Sequence, residues 1–551
     1  MVSYNLSDLF EVVADQVGDR PAIIVGSRRE LSYAELEERA NRLAHHLAAA
    51  GVGADDAVGL LLMNGAEYLE GMLAAFKLRA VPINVNYRYV ARELEQVFVD
   101  AGVVALVFHR RFSPEVESIA PRVRTLEHLV VVEDGSDAPV PDAAIPYEDA
   151  LAGASPARDF EGRSSDDRYI AYTGGTTGLP KGVIWLHEDI FFASMGGGDP
   201  TRTEGVITAP EQLRERVLPV PPVQVITAPL MHVSGHWGAF SALFSGTTIA
   251  MPEPGPFDPV AVLDFAARVG ANVITLVGDA MMRPLAELVE QHPGRWDLGG
   301  LFVLASGGAL LSSSTKDLVR RVLPSVIVVD GFGSTETGIA ASEARLPGSD
   351  ETAGSRFVVD ECTAVLDEDL RPVTPGSGVV GILARRGHIP IGYHGDPERT
   401  ATTFVEVNGV RWALPGDHAT VEADGTIVLL GRGSQTINTG GEKVLPEEVE
   451  EVLLAHPGVR DVIVIGMPDE RWGQRIVAVA AARPGVTLTL DDLQRHCRAA
   501  LAGYKVPREL HVVELIERSP SGKPDYRWAT GIVTGVPVES DSGGDRTASG
   551  S

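Results

Sequence analysis

The spacing of apolar residues alternates along the first 160 residues of the chain. Residues 33–47 and 68–78 place apolar side chains at helical intervals, whereas residues 58–63 form a short apolar run suited to a buried strand. Such alternation is typical of helices layered on a largely parallel sheet. The pattern therefore predicts an α/β fold for this part of the chain.

Further apolar runs that end in small or turn residues predict additional buried strands. They are residues 223–228, 273–277, 302–305 and 326–329. In open α/β sheets, ligands bind at the carboxyl ends of the strands. Between these elements, residues 196–222 are rich in glycine and proline, and we interpret them as a surface excursion.

The pattern changes near Gly431, after which a compact α+β unit of about one hundred residues is predicted. Pro446 and the acidic residues after it are typical of the start of a helix. The predicted divisions are a large N-terminal domain of layered sheets and helices (residues 1–431), a hinge (432–436), a small mobile C-terminal domain (437–530) and a disordered tail (531–551).

The composition of the chain restricts the classes of binding partner that are expected. The chain has 551 residues, is 44% hydrophobic and carries a formal net charge of −28. That charge argues against nucleic acid or an anionic membrane surface as partner, although ATP needs only a local positive cluster. Two distant cysteines, Cys362 and Cys497, give no disulfide framework and no metal-ligand spacing. With neither a signal peptide nor a membrane span in the pattern, a cytoplasmic protein is expected.

Residues 172–183 read Tyr-Thr-Gly-Gly-Thr-Thr-Gly-Leu-Pro-Lys-Gly-Val and follow a strand-like segment. Glycines let backbone N–H groups converge on an anion, threonines add hydroxyl donors, and Lys181 adds a positive charge. The kinase and GTPase phosphate loop does not fit, because two residues separate Gly178 from the lysine and no hydroxyl follows it. The stretch indicates a different polyphosphate loop, with an ordinary Gly/Thr-rich surface loop as the alternative.

Several later motifs occur in a fixed order. Residues 331–338 read Gly-Phe-Gly-Ser-Thr-Glu-Thr-Gly, residues 414–419 contain Pro-Gly-Asp, and residues 519–523 read Ser-Pro-Ser-Gly-Lys. Together with the loop at 172–183, this set resembles the adenylate-forming superfamily, which includes acyl-CoA synthetases, firefly-luciferase-like enzymes and nonribosomal adenylation domains. The resemblance covers residues 10–528.

The resemblance implies a set of nucleotide-binding residues. Thr335 would touch the α-phosphate, Asp417 the ribose, and Glu336 with Thr177 a magnesium ion. Phe332 stands where the family usually has tyrosine. The implied ATP-binding residues are Thr173, Gly174, Gly175, Thr176, Thr177, Lys181, Gly307, Gly308, Ala309, Asp330, Gly331, Phe332, Gly333, Ser334, Thr335, Asp417 and Arg432.

Further roles follow from the same resemblance. The implied catalytic residues are Lys523, Glu336 and His232. The acyl group would contact His232, Trp237, Gly307 and Gly331, and coenzyme A would contact Gly440, Gly441, Glu442, Lys443, Trp472 and Arg475. The hinge position holds Ser434, where many family members have aspartate.

The implied reaction is activation of a carboxylic acid by ATP and Mg²⁺ to an acyl-adenylate, followed by transfer to coenzyme A. The motif variants resemble actinobacterial synthetases for long-chain or polycyclic acids, such as steroid and diterpenoid acids. The alternatives are loading of a carrier protein, adenylation alone with a partner enzyme, a luciferase-like oxygenase, and a non-catalytic acyl-nucleotide-binding protein. A monomer and a homodimer are both left open.

Overall fold

The structure is a computed structural model that describes residues 2–27, 29–173, 180–200, 203–348, 356–432, 435–439, 442–469, 472–518 and 523–535, with only the main chain at 29, 432, 442 and 443. Its helices are α1 Leu6–Val17, α2 Tyr33–Ala49, α3 Ala66–Lys77, α4 Ala91–Ala101, α5 Ser113–Ile119, α6 Tyr147–Ala152, α7 His187–Ser194, α8 Leu213–Arg216, α9 Val233–Phe244, α10 Pro259–Val269, α11 Gly278–Gln291, α12 Ser313–Val322, α13 Pro397–Thr403, α14 Pro446–Leu454, α15 Leu490–Arg498 and α16 Tyr526–Thr534.

The strands of the first half are β1 Pro21–Val25, β2 Arg29–Ser32, β3 Ala57–Leu61, β4 Val81–Asn84, β5 Val103–His109, β6 His128–Val132, β7 Ala144–Pro146, β8 Arg168–Thr173, β9 Lys181–Leu186, β10 Val223–Ile226, β11 Thr248–Met251 and β12 Val273–Leu276. Those of the second half are β13 Val303–Gly307, β14 Ile327–Ser334, β15 Gly338–Arg345, β16 Val358–Val359, β17 Thr363–Leu366, β18 Gly381–Arg386, β19 Gly392–Tyr393, β20 Phe404–Val407, β21 Val410–Ala413, β22 Asp417–Val421, β23 Ile427–Arg432, β24 Ile437–Thr439, β25 Glu442–Val444, β26 Val459–Asp469, β27 Gly473–Ala482 and β28 Glu509–Val513.

Three sheets build the large N-terminal domain. An eight-stranded sheet has the order β19-β9-β8-β4-β3-β5-β6-β7, and a nine-stranded sheet the order β16-β15-β14-β13-β12-β10-β11-β1-β2. Their central strands are parallel, and antiparallel strands lie toward the edges. The third sheet joins β17, β18 and β20–β23. The α/β class predicted from the apolar spacing is confirmed.

The small C-terminal domain has its own sheet, β25-β24-β27-β26, with β28 added to β27. Helix α14 begins at Pro446, as predicted, with two glutamates in its first turn. Its apolar side chains Val449 and Leu453 are fully buried against the sheet. The α+β class of this unit is confirmed.

Helix α2 shows why the spacing of apolar residues predicted this helix correctly. Ser32 caps its first turn, accepting a hydrogen bond from Glu35 N while the Glu35 carboxylate accepts one from Ser32 N at 2.8 Å. The predicted stripe at Leu36, Leu43 and Leu47 is completely buried. A reciprocal cap and one buried face fix the ends and the orientation of this helix.

Two predictions about loops were wrong. Residues 196–222 are not a simple surface excursion, because Ile207 and Leu213 are buried in the main core and the Asp199 carboxylate accepts backbone N–H bonds from residues 203–205. The predicted disordered tail at 531–551 begins too early. Helix α16 continues to Thr534, because Asp525 caps it and Ala529 is buried against β26 and β27.

Strand β14 also extends further than predicted. It continues through Ser334 and forms a hairpin with β15. Gly333 permits this hairpin, since a Cβ at that position would lie 2.1 Å from the carbonyl oxygen of Gly338. The first half of the 331–338 motif is therefore strand, and only its turn projects beyond the sheet.

Candidate active site

The candidate phosphate loop follows strand β8 and precedes strand β9 in the sequence, and these two strands pair antiparallel. Thr173, the last residue of β8, pairs with Lys181, the first residue of β9. The Lys181 ammonium group forms an ion pair with Asp396. Residues Gly174, Gly175, Thr176 and Thr177 lie outside the described residues, so their assignment stays a prediction.

A buried asparagine that sequence reasoning missed joins this loop to a second predicted segment. Asn84 accepts a hydrogen bond from Tyr172 N at 2.7 Å and donates to the carbonyl oxygens of Tyr172 and Met231, at 2.8 and 2.7 Å. Met231 directly precedes His232. Asn84 ends strand β4, next to β8 in the sheet, so its strand-end position was the one available signal.

The 331–338 motif is held by two side chains from other elements. Trp185 Nε1 donates to the carbonyl oxygen of Thr335 at 2.9 Å, and the Tyr393 hydroxyl donates to Glu336 Oε1 at 2.8 Å. Burial, together with the Glu336 charge, raises the pKa of Tyr393 to about 12. Tyr393 therefore keeps its proton and remains a donor to the carboxylate at neutral pH.

One short segment links the loop lysine to the motif glutamate. Tyr393 binds Glu336, and three residues later Asp396 binds Lys181. Two predicted site residues from distant parts of the chain therefore lie on either side of residues 393–396.

The glycines of the predicted acyl site lie side by side. Gly307 of β13 pairs with Gly331 of β14, and a Cβ on either would approach the neighbouring strand's main chain at 3.4–3.5 Å. Gly308 follows with a positive φ of +85°, which favours glycine. The backbone therefore turns at the strand ends and leaves open space there.

Asp330 does not share that space, because successive residues of a strand point to opposite faces. Its carboxylate forms a 2.6 Å ion pair with the fully buried Lys316, which also binds Glu343. Burial raises the pKa of Asp330 to about 6, and the Lys316 charge opposes that shift. The ATP-binding role of Asp330 stays a prediction. Because its carboxylate is paired with Lys316, only its main chain is available for that role.

Phe332 and Ala309 are also engaged locally. Phe332 packs on the cluster around Leu383 and lies 6.2 Å from the Phe357 ring, centre to centre. Ala309 packs on the cluster under the nine-stranded sheet. Neither observation tests a nucleotide contact.

His232 occupies the position just before helix α9, and its side chain makes no capping hydrogen bond there. Its Nε2 atom is enclosed and has no hydrogen-bond partner among the described residues. Burial, assisted by the positive charge of Lys523, lowers the pKa of His232 to about 3. The ring is therefore neutral at physiological pH, and the predicted catalytic lysine lies within electrostatic reach of it.

The neighbouring His236 is a satisfied structural residue. Its Nδ1 lies 2.7 Å from the carbonyl oxygen of Leu230, and its Nε2 contacts the Tyr169 hydroxyl. Trp237 is buried in the main core, with its ring edge-on to Trp185 at 6.2 Å. Its acyl-binding role stays a prediction.

Asp417 lies on the third sheet. It begins β22 and pairs in register with Arg432, the last residue of β23. The Asp417 side chain is 4% exposed. The structure thus makes neighbours of the two residues predicted to bind the nucleotide, although the Arg432 side chain lies outside the described part.

Lys523 is exposed and follows a segment anchored by Arg518. The Arg518 guanidinium forms two bonds to the Asp461 carboxylate, at 2.9 and 2.6 Å, and Arg518 pairs with Pro524 in an isolated antiparallel bridge. Arg518 and Pro524, which flank the predicted lysine motif, are therefore paired with each other and anchored to Asp461 of the small domain.

Two hydrogen bonds and one ion pair are among the contacts that join the small domain to the large one. Ser313 Oγ donates to Glu451 at 3.0 Å, and Ser314 Oγ donates to the carbonyl oxygen of Leu454 at 3.4 Å. An ion pair joins Arg483 to Glu287 at 2.8 Å. In this arrangement the positive charge of Lys523 acts on His232 of the large domain.

The predicted coenzyme A residues flank one hairpin of the small domain. Thr439 of β24 pairs with Glu442 of β25 and with Gly473 of β27. Trp472 and Arg475 lie on either side of Gly473, and their side chains bind Arg508 and Glu509. Gly440, Gly441, Ser434 and the side chains of Glu442 and Lys443 lie outside the described residues.

The described residues contain no cluster of three or more His, Cys, Asp and Glu side chains that could cage a metal ion. Glu336 is nevertheless a buried carboxylate that retains one oxygen beyond the Tyr393 bond. Magnesium is commonly held by one or two carboxylates plus substrate phosphates and water. The side chains therefore fit magnesium that arrives with a nucleotide. Within the described ranges, no helix is both long enough and apolar enough to cross a membrane.

Comparison with known proteins identifies the family of the chain. The AMP-binding enzyme family matches residues 10–393, and the AMP-binding enzyme C-terminal domain matches residues 448–523. The chain is 46% identical to a 3-oxocholest-4-en-26-oate–CoA ligase of Rhodococcus rhodochrous, over 96% of both chains.

A second relative is a medium/long-chain-fatty-acid–CoA/3-oxocholest-4-en-26-oate–CoA ligase of Mycolicibacterium smegmatis, 44% identical over 98% of both chains. The fold matches the crystal structure of an anthranilate CoA ligase in complex with anthranoyl-AMP, with a TM-score of 0.82, 23% identity and coverage of 96% and 97%. The chain therefore belongs to the AMP-binding enzyme family, in its acyl-CoA ligase branch.

Proposed function

We propose that this enzyme activates a carboxylic acid with ATP, forming an acyl-adenylate and pyrophosphate, and then transfers the acyl group to coenzyme A. The observation that carries the proposal is the approach of Lys523, from the small domain, to His232 on the large domain. A pure binding protein would have no need to bring a lysine from a separate domain to the acyl side of the site.

The negative charges of the reacting groups explain why lysines are expected in this site. A carboxylate must attack the α-phosphorus of ATP, so two anions meet while pyrophosphate leaves. Positioning and neutralisation are the main tasks in such chemistry. Lys181 and the loop before it would hold the β- and γ-phosphates, and Lys523 would lie between the attacking carboxylate and the α-phosphate.

Glu336 is the best candidate for a magnesium ligand. Tyr393 orients its carboxylate from one side, which leaves the other oxygen for a cation. Bound magnesium would neutralise phosphate charge. The neutral His232 would border the substrate carboxylate without adding charge, which suits a position close to Lys523.

Thioester formation would use the small domain again. We propose that residues 432–436 act as a hinge and that the β24–β25 hairpin, with Trp472 and Arg475, then faces the thiol. Such a rotation needs a few residues that absorb a backbone change. The proposal of coenzyme A as acceptor rests on the two relatives, both named as CoA ligases.

The substrate class proposed is a long-chain or bulky polycyclic acid. Both relatives are named for a steroid acid, and one also for medium- and long-chain fatty acids. Gly307, Gly308 and Gly331 keep side chains out of the space at the strand ends.

The test is mass spectrometry of the products formed from ATP, Mg²⁺ and a panel of carboxylic acids, with and without coenzyme A. Acyl-CoA and AMP from long or polycyclic acids would support the proposal. Acyl-AMP that persists with coenzyme A present would redirect the second step to a carrier protein or partner enzyme. Absence of AMP with every acid would contradict the proposal.

A further inference from the structure

The nine-stranded sheet is covered differently on its two faces. On one face, Val225, Ile274, Leu304 and Val328 form a buried row beneath helices α10, α11 and α12. The side chains that alternate with them point to the opposite face. Parallel sheets normally have both faces covered.

The strand register orders that opposite face into rows. The row next to the site contains Gly307 and Gly331; the middle row contains Ile226, Thr275, Ala305 and Val329; the far row contains Gln224, Val273, Val303 and Ile327. Apart from Ile226, the residues of the middle and far rows are only partly buried.

The apolar members of these rows are incompletely covered by protein. Val273, Val303, Ala305, Ile327 and Val329 do not pack into any hydrophobic cluster of the described part of the chain. Partly exposed apolar side chains are unexpected in the central strands of a parallel sheet. This face is therefore suited to an apolar ligand.

The face is continuous with the candidate site. It begins at the glycine row and extends to the far row, a distance of about 13 Å for four residues of strand. On the β11 side it is closed by the fully buried Ile249, whereas on the β15 side it opens at the exposed Ala344. The occupant that fits is the apolar body of an acid whose carboxylate lies at the strand ends.

Two polar side chains interrupt this apolar face. Gln224 Nε2 donates a hydrogen bond to Thr275 Oγ1 at 2.9 Å. They are the polar members of the middle and far rows. Gln224 makes no second side-chain hydrogen bond among the described residues, so one amide hydrogen and its carbonyl oxygen face the partly exposed side.

We propose that Gln224, positioned by Thr275, recognises an oxygen function, a ketone or hydroxyl, on the body of the substrate acid. The strand spacing puts that oxygen about 10–15 Å from the carboxylate. A ketone would accept from the remaining amide N–H, and a hydroxyl would donate to the amide oxygen. This inference rests on the proposed function and narrows its substrate to oxygenated bulky acids.

The test compares two rigid polycyclic acids that differ only in one ketone at that distance. The wild-type enzyme should show a kcat/KM about tenfold higher for the keto acid, on the scale of one hydrogen bond. Gln224→Met and Thr275→Val should reduce that ratio toward one, because each removes part of the pair.

A Gln16→Met variant is the matched control, since Gln16 is exposed on α1, and it should retain the wild-type ratio. Val303→Leu should lower kcat/KM for both polycyclic acids more than for a short acid, because it narrows the far row. An unchanged keto preference in both Gln224→Met and Thr275→Val would overturn the inference while leaving the ligase activity standing. Absence of AMP with any acid would instead refute the proposed function.

Discussion

Glu450 is a carboxylic acid enclosed within the small domain. Its Oε1 accepts a hydrogen bond from Val464 N at 2.8 Å, and Glu447, Asp461 and Arg518 surround it. Burial, followed by the charge of Glu447, raises the pKa of Glu450 from 4.5 to about 8. The folded protein therefore holds a proton on Glu450 at neutral pH that the unfolded chain has released.

The free energy of unfolding should fall as the pH rises from 4.5 toward 8, because the unfolded chain binds fewer protons than the folded one in this window. The slope from one such group approaches about 1.4 kcal/mol per pH unit at most. Glu450→Gln should flatten the dependence. Denaturant unfolding of both proteins at pH 5, 7 and 8.5 measures it.

The exposed Glu406→Gln is the control for that experiment, and it should keep the wild-type slope. Equal slopes in wild type and Glu450→Gln would show that Glu450 is ionised in the folded protein.

Asn84 should contribute to both stability and adenylation, because it joins the strand before the candidate phosphate loop to the residue before His232. Asn84→Leu leaves three buried backbone groups of Tyr172 and Met231 unpaired, each costing roughly 1–3 kcal/mol. Adenylation measured by pyrophosphate release should fall together with stability. Asn86→Leu, which loses an exposed bond to Arg88 N and a side-chain bond to Tyr89, should change neither by a comparable amount; equal effects would contradict the positioning role.

At the scale of elements, the periodicity of apolar residues predicted the central part of helices and strands. Their ends depend on local contacts such as caps and partner strands. Helices α2 and α14 and strands β3, β10 and β12 occur close to the predicted positions, because each buries one continuous apolar set. The extension of β14 depends on a partner strand that single-sequence patterns do not identify. The last turn of α16 was missed because composition outweighed its few apolar contacts.

The segment that carries Lys523 depends on its anchor. Arg518→Ala removes both bonds to Asp461 and leaves that carboxylate without its guanidinium. We expect adenylation to slow by about tenfold or more, with thioester formation from supplied acyl-AMP less affected, because Lys523 loses its placement. Arg518→Lys should recover part of the rate. Equal loss in both half-reactions, measured by single-turnover kinetics, would contradict the anchoring role.

At the scale of the whole molecule, contacts between residues far apart in sequence explain why only part of the candidate site could be predicted. Lys181, Glu336 and Asp417 were predicted because their motifs resemble those of the adenylate-forming superfamily, and their roles stay predictions. The contacts that join them come from Asn84, Tyr393 and other residues far away in sequence. No local pattern encodes such contacts, because the topology of three sheets creates them.

The seating of the small domain also emerges only at this scale. The Arg483–Glu287 pair is about one-quarter to one-third exposed, so it is worth roughly 1 kcal/mol or less. Arg483→Glu replaces that attraction with repulsion, and adenylation should slow by about fivefold or more. The charge-swapped Glu287→Arg/Arg483→Glu protein should recover most of the rate. If the charge-swapped protein does not recover the adenylation rate, the Arg483–Glu287 ion pair does not hold the small domain in place.

The central claim is that Lys523, delivered by the small domain, serves the adenylation step. The direct measurement is the rate of each half-reaction in wild type and Lys523→Ala: pyrophosphate release from ATP and acid, and acyl-CoA formation from supplied acyl-AMP. The account predicts that adenylation falls by about a hundredfold or more, on the scale of one preorganised electrostatic donor, while the thioester step is largely retained. Equal losses in the two steps, or an unchanged adenylation rate, would contradict it.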